Sequence, residues 1–216
     1  MPIQSLTLTA PPEILTDDNP KVALILAAEI AFARDGIDGA SLRDIAAKAG
    51  QRNHHAVQYH FGTREALVQA VFDYRMDQME PARGAMLKTA SNGTTRAIAE
   101  AIFLPQIELI DVHGDNSYAA FLSEYLLRYQ GSQFGEFGER VAPHLSQILQ
   151  LLRETLSDLP EAAAQRRLIT ACFMFLNILV IHMRGDKAGA ESFEVALEDT
   201  LDQIVLTLEA PYLAAS

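Results

Sequence analysis

Apolar residues first fall into a helical rhythm at Leu24, where Leu24, Ile25, Ala28, Ala31 and Phe32 recur at spacings of three and four. That spacing puts them on one face of a helix, and Gly36 suits its C-terminal cap. Ser41 precedes a shorter run, LRDIAAKAG, with Leu42, Ile45 and Ala46 on one side and Asp44 in the first turn; the hydroxyl predicts an N-cap and the acid favours the positive end of the helix dipole. Gly50 ends this second helix. Asn53 then predicts a cap for a third, HHAVQYHF, in which Val57 and Phe61 are four apart and face inward. Thr63 caps a fourth helix, predicted from Arg64 to about Glu80 with Pro81 as its limit.

Every later periodic stretch is also helical, and no strand alternation or hairpin signal appears. The breaks predict helices near 82–91, 94–112 with a kink at Pro105, 117–130, 137–156, 161–184 and 191–209. Residues 1–20 carry Pro2, Pro11, Pro12 and Pro20 without an apolar period and read as a mobile tail. The fold class is all-α.

Composition changes this picture in few places. A chain of 216 residues that is 49% hydrophobic and 21% charged can bury a core. The longest strongly apolar stretch, Leu168–Ile181, is shorter than the roughly 20 residues a membrane helix needs. The first residues lack the basic start and apolar core of a signal peptide, so a cytoplasmic protein without a membrane partner is expected. One cysteine, Cys172, permits no internal disulfide and anchors no Cys-rich zinc site. No metal and no cofactor is expected: His54, His55 and His60 lack the spacing that puts two ligands on one helical face.

A net charge of -11 argues against nucleic acid on average, because phosphate contacts need cations. Residues 41–64 run the other way, with Arg43, Lys48, Arg52 and Arg64 against Asp44 alone. Two short helices joined at Gly50 and buttressed by a preceding helix form a helix-turn-helix. Turning about 100° per residue from Val57 sets His55 and Tyr59 opposite the core, with Ala56 and Gln58 flanking them. Asn53 and His54 sit at the helix start, where free amides favour phosphate. The spacing therefore predicts Arg52, Asn53, His55, Gln58 and Tyr59 toward the groove, His54 at the phosphate-favouring helix start, and Ser41, Arg43, His60 and Arg64 near backbone phosphates.

These residues carry a resemblance. Leu24-Ile25-x-Ala27-Ala28, Phe32-Ala33-x-x-Gly36, Ser41 to Ala46, Ala49-Gly50, Tyr59-His60-Phe61 and Thr63 to Leu67 resemble the DNA-binding domain of the tetracycline-repressor (TetR) family of transcriptional regulators. Relative to that family, one residue is extra at Gln51-Arg52, and Gln51 replaces a small apolar residue after the glycine. The resemblance implies a DNA-binding domain over 21–68, a connecting part of the fourth helix over 69–81, and a helical effector-binding and dimerisation domain over 82–216. It also implies a repressor without enzymatic activity, a homodimer on palindromic double-stranded operator DNA, and release by a small-molecule effector. Tyr118, Phe121, Tyr125, Phe173 and Asn177 are candidate effector-binding residues, being large or polar side chains on largely apolar helices. The last two long helices would pair with their copies; 161–184 serving only as a monomer's core helix is the alternative. Glu124 and Arg128, four apart, are expected to pair with each other. The alternative function is a helical small-molecule-binding or enzymatic protein whose N-terminal helices only pack. No nucleophile elbow, P-loop or dinucleotide fingerprint favours an enzyme.

Overall fold

The computed structural model describes residues 19–111, 113–129, 142–182 and 191–212. Nine α-helices occupy the described residues, with no strand among them: α1 Pro20–Asp35, α2 Leu42–Lys48, α3 Ala56–Phe61, α4 Arg64–Ala90, α5 Thr95–Phe103, α6 Ser117–Arg128, α7 Pro143–Thr155, α8 Glu161–His182 and α9 Phe193–Glu209. A 3-10 turn, Leu104–Glu108, follows α5 where Pro105 predicted a kink. Pro20 is the first residue of α1, capped by Asn19 Oδ1, which accepts from Lys21 N at 3.0 Å, so Pro20 belongs to the helix and not to a tail. The rest of the predicted tail, and residues 137–141 of the helix predicted over 137–156, lie outside the described residues.

Side-chain caps appear where short polar residues precede apolar runs. Ser41, Thr63, Thr94, Asn116 and Ser192 each accept from a backbone N–H in the first turn of α2, α4, α5, α6 and α9. α4 differs from expectation, running 27 residues straight through Pro81. Pro81 and Asp77, whose carbonyl loses its helical partner, both lie on the exposed side, where water can take the missing bond. The helices predicted over 64–80 and 82–91 are therefore one rod.

α7 starts with Pro143 and has no local cap. Glu80 of α4 replaces it, accepting from His144 N at 2.8 Å and Leu145 N at 3.3 Å. A carboxylate here meets both the free amides and the positive end of the helix dipole. Arg167 of α8 treats the far end of α9 in the opposite sense, donating to Leu208 O at 2.7 Å.

The core runs continuously from the N-terminal helices into the rest. Phe32 of α1 stacks on Phe121 of α6, and Phe72 of α4 on Tyr125 of α6, with ring centroids 6.0 and 4.8 Å apart. Phe103 and Phe175 join α5 to α8 at 5.1 Å. α8 is long and apolar enough by composition to cross a bilayer, but α6 and α9 pack against it. Its Ala171, Cys172, Phe175, Leu176, Ile178 and Leu179 are buried, and so are Leu197, Leu201, Ile204 and Leu208 of α9. Burial pushes the Cys172 thiol up to about 12, leaving it an apolar filler.

One buried ion pair spans the N-terminal helix and the long rod. Arg75 of α4 donates to both Glu29 carboxylate oxygens, at 2.6 and 2.8 Å, and Ser117 of α6 donates to Glu29 Oε1 at 2.6 Å. Burial disfavours the Arg75 charge, but the hydrogen bonds and charge of Glu29 outweigh it and hold its pKa above the ordinary value. Removing one member strands the other, so Glu29→Ala is expected to cost about 3–5 kcal/mol in chemical denaturation. The double Glu29→Leu, Arg75→Met protein should lose far less; equal losses would show that packing, not charge, governs this position.

Candidate nucleic-acid interface

The helix-turn-helix is built from α2 and α3, with α1 and α4 behind. At its turn, Gln51 N donates to Ala46 O at 2.9 Å and Gly50 N to Ala47 O at 3.1 Å. This pair of bonds is the Schellman ending, which needs a left-handed residue; Gly50 supplies it at φ 70°. Gln51 Nε2 donates back to the Ala49 carbonyl at 3.1 Å, so a polar residue there closes the helix end. Asn53 Oδ1 accepts from His55 N at 2.9 Å, Ala56 N donates to Asn53 O at 3.0 Å, and α3 begins only at Ala56.

α3 is thus two residues shorter than HHAVQYHF predicts. Its buried anchors are Ala56 and Val57, while Phe61 is half-buried under the Lys21 ammonium, 5.5 Å from the ring centre. Ala56 faces inward, not toward the groove. Arg52, Asn53, His54, His55 and Gln58 are all exposed, and Tyr59 is 82% exposed with its ring edge-on to His60 at 5.0 Å. A large aromatic left in water on a six-residue helix contributes nothing to the core. Ser41 and Arg43 are exposed beside it, and His60 is half-buried.

Arg64 carries a structural duty that its sequence position does not announce. Its Nη1 donates to Ile37 O at 2.8 Å and Ala40 O at 2.7 Å, so the half-buried guanidinium ties the α1–α2 connection to the start of α4. The residue expected near a phosphate is also a brace for the helix-turn-helix. The predicted pairing of Glu124 with Arg128 is also replaced: Arg128 donates to Asp38, across from α6 to the α1–α2 connection. That bond holds the Asp38 carboxyl below its ordinary value. These two residues line one wall of a cleft of about 420 Å³ with Asp35, Ile37, Glu124 and Leu127.

Among the candidate effector residues, Tyr118, Phe121 and Tyr125 come together along α6, with successive ring centres 6.0 Å apart, all buried. Tyr125 donates to Gln69 Oε1 at 3.2 Å, and burial pushes its phenol up to about 12. Phe173 is half-buried on α8 and Asn177 is exposed, so Asn177 does not join that cluster. Among the described residues no three His, Cys, Asp or Glu side chains gather as a metal-ligand group.

Sequence reasoning missed Glu29, Arg75, Glu80 and Arg83, all buried. Glu29 sits four residues after Ile25 and three before Phe32, a carboxylate inside an apolar stripe. That placement was the available signal, since an unpaired charge is not tolerated there.

A family model described as bacterial regulatory proteins, tetR family, matches residues 24–71. No curated protein matches the chain. Among solved structures, a transcriptional regulator from Rhodococcus sp. Rha1 is 20% identical, covering 87% of this chain and 96% of its own, with a TM-score of 0.47. A candidate TetR-family transcriptional regulator from Mesorhizobium loti MAFF303099 is 19% identical, covering 88% and 95%, with a TM-score of 0.48. At these values no individual residue can be carried across. The matched segment spans the apolar face of α1, the capped α2, the exposed α3 and the start of α4; over these residues the chain is similar to the tetR family of bacterial regulatory proteins, and that similarity supports DNA-binding transcriptional regulation.

Proposed function

We propose that the chain is a homodimeric repressor that reads a palindromic operator through α3 and is released by a small-molecule effector. The similarity of residues 24–71 to the tetR family supports a transcription factor rather than an enzyme. The exposed surface of α3 and the turn before it carries the reading of its site: Arg52, Asn53, His54, His55, Gln58 and Tyr59 face solvent while Ala56, Val57 and the half-buried Phe61 hold the helix down. Phosphate contacts position such a unit and base contacts select the sequence. Ser41, Arg43 and His60 flank it on the phosphate side, with Arg64 contributing by bracing the unit.

The division of labour follows the helices. Residues 21–68 form the DNA-binding part, 69–81 the connecting part of α4, and 82–216 the effector-binding and dimerisation part. Because α4 is continuous to Ala90, the rod carries any displacement of one part to the other. The Arg128–Asp38 bond and the Ser117–Glu29 bond give α6 a second grip on the reading unit. An effector releases DNA only by binding the released state more tightly than the DNA-bound one.

The dimer reading rests on apolar surface left uncovered in one chain. Ile181 of α8 is 57% exposed and Leu206 of α9 is 69% exposed, with Val195 also in solvent and Phe173 and Met174 half-buried. Two-fold pairing through these helices places two α3 helices on two half-sites.

A gel shift with the DNA upstream of its own gene tests the whole reading; a specific complex competed only by that DNA is expected. Gln58→Ala should cost roughly 1–3 kcal/mol at one base position, whereas Arg43→Ala should weaken all sequences alike and lower the salt slope by about one. Arg64→Ala should lower the melting temperature as well as affinity, separating it from Arg43→Ala. Unchanged operator affinity in a double Arg52→Ala, Tyr59→Ala protein would remove α3 from the interface. For the dimer, light scattering at micromolar concentration should give twice the chain mass. Ile181→Asp with Leu206→Asp should give a folded monomer, which a helical circular-dichroism spectrum would verify.

A further inference from the structure

Arg83 is 2% exposed, yet its guanidinium has almost nothing to bond. Nε has no partner, and Nη1 and Nη2 point at the thioether sulfurs of Met76 and Met79, each 3.5 Å away. Thioethers are weak acceptors. Its nearest carboxylate, Glu80, lies 3.7 Å off, and the Glu80 oxygens are occupied by the His144 and Leu145 amides of α7. The other buried carboxylate on α1 and α4, Glu29, is taken by both arms of Arg75. Burial drives the Arg83 pKa down, further than Tyr118 and the Glu80 carboxylate restore it.

A second orphan is coupled electrostatically to this charge. The Tyr118 hydroxyl is buried without a hydrogen-bond partner, and its phenol is pushed up by burial and lowered by the Arg83 charge. On the 3-10 turn, which packs on α4, the Gln106 Oε1 is likewise buried and unpartnered. Native interiors rarely leave such groups unmet, because each costs its desolvation without return. Here a charged donor and a neutral hydroxyl share that state inside the effector part of the chain.

We infer that Arg83 and Tyr118 form the seat of a carboxylate ligand with an apolar body. The class follows from charge and shape. One guanidinium, partly offset by Glu80, balances a monoanion rather than the second charge of a phosphate ester. Its planar fork matches the two oxygens of a carboxylate, to which the Tyr118 hydroxyl adds a third donor. Met76 and Met79 occupy the face of the guanidinium now, and their unbranched side chains can swing aside and line the ligand's apolar portion. The inference rests on the effector reading above and names the effector's chemical class.

The probes are benzoate and octanoate, with benzamide and octanamide as neutral counterparts, added to the full-length protein at millimolar concentration. Thermal unfolding should rise by several degrees with at least one carboxylate and not with its amide. Arg83→Met fills similar volume without the charge, so it should hold or raise the unliganded melting temperature and abolish the shift. Tyr118→Phe should keep the unliganded melting temperature and weaken the carboxylate several-fold, which keeps the test decisive if Arg83→Met fails to fold. Equal shifts from acid and amide, a wild-type response in both variants, or no shift with either carboxylate would overturn the seat. Operator affinity measured in the same samples separates the two claims. Carboxylate binding without loss of DNA leaves the seat and removes the release mechanism; release by an uncharged ligand alone does the reverse.

Discussion

The bond between Glu29 and Arg75 is the constraint on which the arrangement of helices depends. It is buried, charged and bidentate, so it tolerates little sliding of α1 along α4. Ser117 adds α6 to the same carboxylate, and three helices are thereby held in one register at one point. Apolar contacts around it, such as Phe32 on Phe121, are less directional. They supply the driving force, while the polar triad selects one alignment from many that would bury similar area.

The short helix α3 follows the opposite rule. Six residues cannot form a stable helix in isolation, because nucleation costs more than so few bonds return. α3 persists because Ala56 and Val57 are packed, Gly50 and Gln51 close α2 ahead of it, and Arg64 ties the α1–α2 connection to α4 behind it. Shape is supplied from outside the helix, which leaves its outer positions free of any structural duty.

The N-terminal part was legible because its information is local. Caps at Ser41 and Thr63, a glycine after each of α1, α2 and α3 and a spacing of three and four mark boundaries within a turn or two. What escaped is long-range. Pro81 reads as a stop in any window of sequence, yet the packing of α4 against α5 and α7 carries the helix past it. The pairing of Arg128 with Asp38 rather than Glu124 spans 90 residues, and no spacing rule reaches that far. The shorter α3 was missed because Asn53 bonds the His55 amide in a turn, the same side-chain chemistry that caps a helix.

The length of α4 also settles how a chain of charge -11 can approach a polyanion. At about 1.5 Å per residue, its 27 residues extend roughly 40 Å, whereas the Debye length at physiological ionic strength is about 8 Å. Acidic groups at the far end of that rod are several screening lengths from the surface that carries Arg43 and Arg52. A duplex docked on that surface would therefore meet the field of the basic tip and scarcely that of the acidic body. In dilute buffer the screening cloud swells toward the length of the rod, and the body's repulsion then reaches the duplex. Lowering salt strengthens the contacts of the tip while admitting an opposing force, so the gain in affinity flattens where a uniformly basic protein's would keep climbing.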